Sequence, residues 1–281
     1  MDRIDLHIHT TASDGTDSPA AVVEQAASLG LSAVAVTDHD TVAGVPEATA
    51  AGARLGVEVV PGIEVSSDYR DNNVHVLGYF IDVGSPALRP VLDWVTVERR
   101  ERNERLCALL AEAGFDIDID ALRSAYPDAV LGRPHIAEFL MRKGYFASVA
   151  EGFDKYLDVG RPFYMPKRLI PMAKAVETVI AAGGIPVLAH PLQYKYPLRE
   201  VEEMIDYAVS LGVRALECYY SEHTPAQQTW LLSQVERRGL GVSGGSDYHG
   251  SRKSWIAMGS GMGELCVPAS VLTDLKALHG K

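Results

Sequence analysis

Along the first 85 residues the apolar positions change period several times, from two to about 3.6 and back. Over 2–9 they alternate: Ile4, Leu6 and Ile8 share one face, and Asp5, His7 and His9 the other, which predicts a strand. Ser18-Pro19 then opens a helix. Ser18 suits the N-cap and Pro19 the first helical position, and Val22, Val23, Ala26 and Ala27 follow at helical spacing before Gly30. A short strand over 33–37, a helix over 45–55 and a strand over 57–65, broken at Pro61-Gly62, come next. Residues 73–81 form a near-continuous apolar run, the pattern of a strand buried on both faces.

The alternation resumes near Pro171. Helices are predicted over 172–182, 201–211, 225–238 and 270–278, and strands over 185–189, 215–219 and 240–243. The count is about seven β/α units, one fewer than the eight of a standard closed barrel. Between the two regions, 98–168 carries helical patterns and no strand. Its first helix, 98–113, is charged and has Leu106, Leu109 and Leu110 as an apolar stripe. The fold class is therefore α/β, with 1–97 and 169–281 forming a barrel domain and 98–168 a helical insert.

Composition narrows the field. The 281 residues carry a net charge of −11, with 47% hydrophobic and 22% charged residues, a globular balance. No apolar run approaches the roughly 18 residues of a membrane span. The opening alternation is too short and punctuated for a secretory leader, so a cytoplasmic protein without a membrane is expected. Cys107, Cys218 and Cys266 share no close spacing, which argues against disulfides and thiolate zinc sites. Acidity disfavours broad binding to long nucleic acid. The stretch 133–168, however, has seven basic and four acidic residues, a local +3 that leaves −14 elsewhere and suits a short phosphorylated substrate. Nothing in the sequence calls for an obligate protein partner.

Candidate ligands recur at strand ends. His7 and His9 end the first strand, and Asp14 follows five residues on. Asp38, His39 and Asp40 end the second, Glu64 the third, and His75 lies in the fourth; His190 ends the fifth, and Asp247 and His249 follow the last. Strand C-termini of a β/α barrel converge on one rim, and an x-y-x spacing puts both side chains on one face of a strand. One histidine at a strand end is ordinary. Six with three carboxylates at one rim require a compensating cation. Imidazole and carboxylate without thiolate suit manganese, zinc or ferrous iron. Nine ligands are too many for one ion and enough for two or three with open, catalytic positions.

These motifs (Asp5-Leu6-His7-Ile8-His9, Ser13-Asp14-Gly15, Thr37-Asp38-His39-Asp40, Gly62-Ile63-Glu64, His190-Pro191 and Ser246-Asp247-Tyr248-His249) resemble those of the PHP (polymerase and histidinol phosphatase) family. The resemblance runs nearly end to end and is nearest to its stand-alone nucleotide phosphoesterases. It implies a distorted seven-stranded (β/α) barrel with a helical insert and a trinuclear centre, manganese being the first choice. One metal would take His7, His9, Glu64 and Asp247. A second would share Glu64 and add His75 and His190, and a third would take Asp14, His39 and His249. Asp38 and Asp40 would orient imidazoles, with Asp40 alternatively a helix N-cap. The run Leu192-Gln193-Tyr194-Lys195 departs from relatives expected to place Arg nearer the His-Pro.

Substrate-binding candidates are Arg133 and His135 at a helix start, where guanidinium and backbone N–H groups suit phosphate, and Arg161 and Lys167 in loops. The insert that holds them is expected to cap the rim. Asp247 is a catalytic candidate as well as a ligand, and His223 a candidate proton donor to the leaving oxygen. Glu217 reads as a buried network member. The expected activity is phosphomonoester hydrolysis by a metal-bridging hydroxide, first on the 3′-phosphate of nucleoside 3′,5′-bisphosphates. The alternatives are a 5′-3′ exoribonuclease on short RNA, a histidinol-phosphatase-like or other sugar or alcohol phosphatase, an amidohydrolase, and a non-catalytic metal-binding module. An amidohydrolase would normally bridge its metals with Lys where Glu64 stands here.

Overall fold

The computed structural model describes residues 3–127 and 131–280. Asp2 of the first expected strand, and the extreme ends of the expected domains, lie outside them. The elements run β1 (Arg3–Ile8), α1 (Pro19–Ser28), β2 (Leu31–Val36), α2 (Val45–Leu55), β3 (Glu58–Tyr69), β4 (Asn72–Tyr79), α3 (Arg89–Glu112), α4 (Ile119–Ala125), α5 (Arg133–Arg142) and α6 (Val149–Gly152). Then follow β5 (Ile170–Pro171), α7 (Met172–Ala181), β6 (Ile185–Leu188), α8 (Leu198–Leu211), β7 (Ala215–Tyr220), α9 (Pro225–Arg238), β8 (Gly241–Gly245), β9 (Val267–Pro268) and α10 (Ser270–His279). Two compact units result, one of residues up to 92 and from 169, the other of 93–168.

The first unit holds a mixed sheet in the order β8-β7-β6-β4-β3-β2-β1-β9, with β5 beside β3. Among the described residues nine strands stand where seven were expected, because β5 and β9 have only two residues each and no periodicity to detect. The sheet is nearly closed. Beyond β8, Asp247 N–H donates to His7 O and His9 N–H to Tyr248 O, both at 2.9 Å, which brings the end of β8 against β1. Gly245 permits this approach, since a Cβ there would sit 2.3 Å from His7 N. Apolar Ile4, Leu6, Leu77, Val187 and Ala215 pack together between the strands, and β1 is buried on both faces.

Two departures from the expected β/α repeat shape this unit. Pro61-Gly62 does not break β3. It marks a change of partner, from parallel pairing with β2 up to Pro61 to antiparallel pairing with β4 from Gly62. A missing N–H is tolerated where the ladder switches, and a Cβ at Gly62 would lie 2.9 Å from Val36 O. The second departure is a hairpin. β3 turns into β4 through Arg70 and Asp71, both with positive φ, and β4 runs antiparallel to β6 as well. A two-residue turn with both φ values positive matches the twist of hairpin strands, but Arg-Asp is not its usual sequence.

The second unit is helical among the described residues. Leu106, Leu110, Leu122, Ile136, Leu140 and Leu157 form its core. α3 starts at Arg89, earlier than the periodicity indicated, and a π-helical turn, Phe153–Leu157, continues α6.

Candidate metal centre

The sheet brings the expected ligands together, some from strand ends and two from strand interiors: Glu64 lies within β3 rather than at its end, because β3 runs on beside β4, and His75 lies within β4. Histidine nitrogens and carboxylate oxygens within 4.8 Å of one another form four overlapping groups: His9, Asp14, His39 and His249; His7, Glu64 and His190; His7, His9 and Asp247; His39, Glu64 and His75. All nine candidates are included. The grouping differs from the one the resemblance implies, for His9 also joins the Asp14 set and His39 pairs with His75. The rings lie close in both cases: the His9 centroid is 4.0 Å from that of His249 and 4.6 Å from that of His39, and the His39 and His75 centroids are 4.9 Å apart.

Glu64 is the hub. Its Oε1 lies 2.8 Å from His75 Nδ1 and 3.1 Å from His190 Nε2. Its Oε2 faces His39 Nδ1 at 3.0 Å, His9 Nε2 at 3.2 Å and His7 Nε2 at 3.4 Å, yet makes no hydrogen bond. Asp247 Oδ1 similarly faces His9 Nε2 at 3.2 Å and His7 Nε2 at 3.6 Å. His7 Nε2, His39 Nδ1, His190 Nδ1 and both nitrogens of His9 are buried without a hydrogen bond. Each such group would cost about 1–3 kcal/mol if it had no other purpose. Converging lone pairs of this kind fit divalent cations, and no cysteine joins the groups.

Electrostatics says the same. Burial alone would raise the Glu64 carboxyl, but His39, His75 and His7 outweigh it and hold it well below the carboxylate range. Asp14, against His249 and His39, and Asp247, against Lys253 and His249, are likewise held down despite burial. Burial opposes charge on His9, yet Asp247 and Glu64 push it up to about 9, whereas burial pushes His39 down to about 4. Without metal, protons on some imidazoles must offset the carboxylates.

Outer partners fix which nitrogen faces the cluster. Glu217, buried in β7, accepts from His7 Nδ1 at 2.8 Å and from His190 N–H at 2.8 Å. Asn73 bonds His75 Nε2 at 2.9 Å, and Asp247 O accepts from His249 Nδ1 at 2.8 Å. Such partners orient ligating imidazoles and set their tautomers. Asp38 and Asp40, the expected orienters, make the following contacts. Asp38 accepts from Thr10 N–H, Thr10 Oγ1 and Ser13 Oγ, so it braces the loop that carries Asp14. Asp40 accepts from Ser66 N–H, and the N-cap of α2 is Gly44. His190 and Asp247 have φ of 25° and 59°, a strained backbone held at the site. Sequence reasoning missed Tyr220, Lys253 and Asn73. Single polar residues after a strand, or in a hairpin, carry no pattern of their own.

His223 belongs to none of the four groups. Its Nδ1 lies 3.1 Å from Cys218 O, a pure acceptor, so Nδ1 carries the hydrogen and Nε2 the lone pair. Burial also pushes its pKa down. Burial thus favours the neutral ring, with Nε2 buried and without a hydrogen bond.

The other candidates lie in the second unit. Arg133 donates to Leu157 O at 3.0 Å, with its guanidinium over the rings of Phe153 and Tyr164, and pairs with no carboxylate among the described residues. His135 is 2% exposed, and its Nδ1 accepts the Gly132 N–H, capping α5. Arg161 pairs with Asp154 at 3.0 Å, and Lys167 is partly exposed.

A strand-end cluster of imidazoles and carboxylates, with no thiolate, defines a metal-dependent hydrolase built on an α/β sheet. The PHP domain model matches residues 5–165, and the chain belongs to the PHP family. The protein is a metal-dependent phosphoesterase, an enzyme that hydrolyses phosphoric esters. It is similar to the 5′-3′ exoribonuclease Rnm of Salmonella typhimurium, 33% identical over 95% of this chain and 90% of that one. It is also similar to the 3′,5′-nucleoside bisphosphate phosphatase of Chromobacterium violaceum, 34% identical over 89% and 88%. To the phosphoribosyl 1,2-cyclic phosphate 1,2-diphosphodiesterase of Eggerthella lenta it is 36% identical over 88% and 94%. A structure assigned to metal-dependent phosphoesterases, from Bifidobacterium adolescentis, superposes with a TM-score of 0.87 at 30% identity over 98% of this chain and 96% of that one. Among the described residues no helix is long and apolar enough to cross a membrane.

Proposed function

We propose that the protein removes the 3′-phosphate from nucleoside 3′,5′-bisphosphates, using two or three divalent cations held by the nine ligands, manganese first and zinc or ferrous iron as alternatives. The observation that carries this reading is the exposure gradient of the cluster. His7, His9 and Glu64 are at most 1% exposed, whereas Asp14, His39 and His75 are 32, 17 and 15% exposed at the side chain. A cluster open at one edge suits a phosphate at the end of a molecule better than one inside a long chain. The relative named as a bisphosphate phosphatase supports the same choice.

Charge supports the metal count. With neutral imidazoles, Asp14, Glu64, Asp247 and Glu217 carry four negative charges and Lys253 one positive. Two divalent ions bring the site to +1 and three to +3, either of which attracts a phosphate dianion. The bound ions supply Lewis acidity, easing deprotonation of water and offsetting charge on the phosphoryl oxygens. Glu64, central to the cluster, would hold the ions, and Glu217 keeps His7 Nε2 turned toward the cluster. His223 is the candidate to pass a proton to the leaving oxygen. Among the basic candidates, the Arg133 guanidinium meets Leu157 O and two rings and no carboxylate among the described residues, which leaves it as the candidate for holding a phosphate group.

A second reading, 5′-3′ exonuclease action on short RNA, is favoured by the relative of that name. One panel separates the two. Manganese-loaded protein is given adenosine 3′,5′-bisphosphate, 3′-AMP, a ribose 1,2-cyclic phosphate and a 5′-phosphorylated oligoribonucleotide, and the products are identified by chromatography. Conversion of the bisphosphate to 5′-AMP and phosphate, faster than any other reaction, supports the proposal. Mononucleotide release as the fastest reaction establishes the exonuclease, and 3′-AMP as the product of the bisphosphate reverses which phosphate is cut.

A further inference from the structure

Asp247 uses its two oxygens differently. Oδ1 faces the cluster, 3.2 Å from His9 Nε2 and 3.4 Å from His249 Nδ1. Oδ2 is turned away and held by two donors, the Lys253 ammonium at 2.6 Å and the Tyr220 hydroxyl at 2.9 Å. Lys253 sits on the 3-10 turn Gly250–Lys253 directly after His249, with its side chain 32% exposed. Tyr220 ends β7 and is 6% exposed.

A carboxylate with both oxygens free can bind a cation through both, as calcium sites show. At a catalytic centre the second oxygen would occupy a position that substrate or water needs. A positive charge this close to a divalent ion also weakens its binding. Tight metal binding alone would be better served by a neutral donor, so the ammonium must be justified by what it does to Asp247.

We propose that Lys253, assisted by Tyr220, is a positioning residue that occupies Oδ2 of Asp247 and limits it to one-oxygen ligation, keeping a coordination position open for the reaction. The inference rests on the reading of the cluster as a metal centre.

The test compares the wild type with Lys253→Met, Lys253→Arg and Tyr220→Phe in the full chain. Metal-stripped protein is titrated with manganese by calorimetry, melted without metal, and assayed for kcat and KM on adenosine 3′,5′-bisphosphate. Lys253→Met should bind manganese as tightly as the wild type or tighter, yet lose about 10- to 100-fold in kcat with a much smaller change in KM, the range of an outer-partner mutation. Lys253→Arg should recover most of that loss, and Tyr220→Phe should show the same split more weakly. Weaker manganese binding in Lys253→Met together with a lower melting temperature would make Lys253 a structural ion pair and overturn the inference, as would an unchanged kcat. A wild type that binds no manganese would overturn the metal reading and this inference with it; manganese binding with normal Lys253→Met turnover would overturn this inference alone.

Discussion

The two units place their charges in opposite ways. In the first, His7, His9, Glu64, Glu217 and Asp247 lie at most 5% exposed, crowded together on and just beyond the strands. In the second, Arg123–Glu104, Lys143–Asp116, Lys155–Glu151 and Arg161–Asp154 pair across exposed surface around an apolar core. Exposed pairs are worth little to stability. A buried cluster is costly unless every member is compensated, and this one leaves lone pairs converging without hydrogen bonds. The contrast separates charge that keeps a surface solvated from charge assembled to hold cations.

Substitutions should follow that contrast. Glu64→Ala touches the residue within 3.4 Å of five imidazoles, and kcat/KM on the preferred phosphoester should fall by more than about 100-fold, beyond the range of an outer partner. Glu217→Gln keeps the shape but weakens the hold on His7 Nδ1; manganese affinity measured by calorimetry should drop about 10- to 100-fold.

The pH dependence should differ between metal-stripped and metal-loaded protein. His9 is raised from 6.5 to about 9 without metal, so its contribution is full below pH 6.5 and is lost as pH rises through 9. His39 is lowered to about 4, so its protonation disfavours the fold between pH 6.5 and 4. Metal-stripped protein should therefore melt at a lower temperature at pH 9 than at pH 7. Manganese-loaded protein should lose that dependence, because the cation replaces the proton. Equal slopes in the two forms would show that the imidazoles are not where the ions bind. At the other end of the scale, Arg161→Ala removes an exposed pair; chemical denaturation should detect a change within about 0.5 kcal/mol.

How much of this could be read in the sequence depended on whether a signal repeats. His7-x-His9 and Asp247-x-His249 share the two-residue period of a strand, and each other ligand follows or lies in a predicted strand, so the convergence was legible. The antiparallel β3–β4 hairpin was not, because Arg70-Asp71 lacks the usual glycine or asparagine of a turn with positive φ. Nor were β5 and β9, too short to show any period. At the site, sequence proximity to His39 says nothing of the direction in which Asp38 and Asp40 reach. Asp38 reaches back to Thr10 and Ser13, and Asp40 forward to Ser66. Lys253 and Asn73 act through single contacts, which only coordinates reveal.

The central claim, that the strand-end cluster holds several catalytic cations, is tested most directly by counting bound manganese. Wild type and Asp14→Ala are loaded, freed of excess metal, and measured by elemental mass spectrometry beside a turnover assay. The account predicts about two to three ions per wild-type chain, the number that nine ligands support with open positions. It predicts one fewer in Asp14→Ala, with turnover sharply reduced and the fold intact. An unchanged count at an unchanged rate would contradict it.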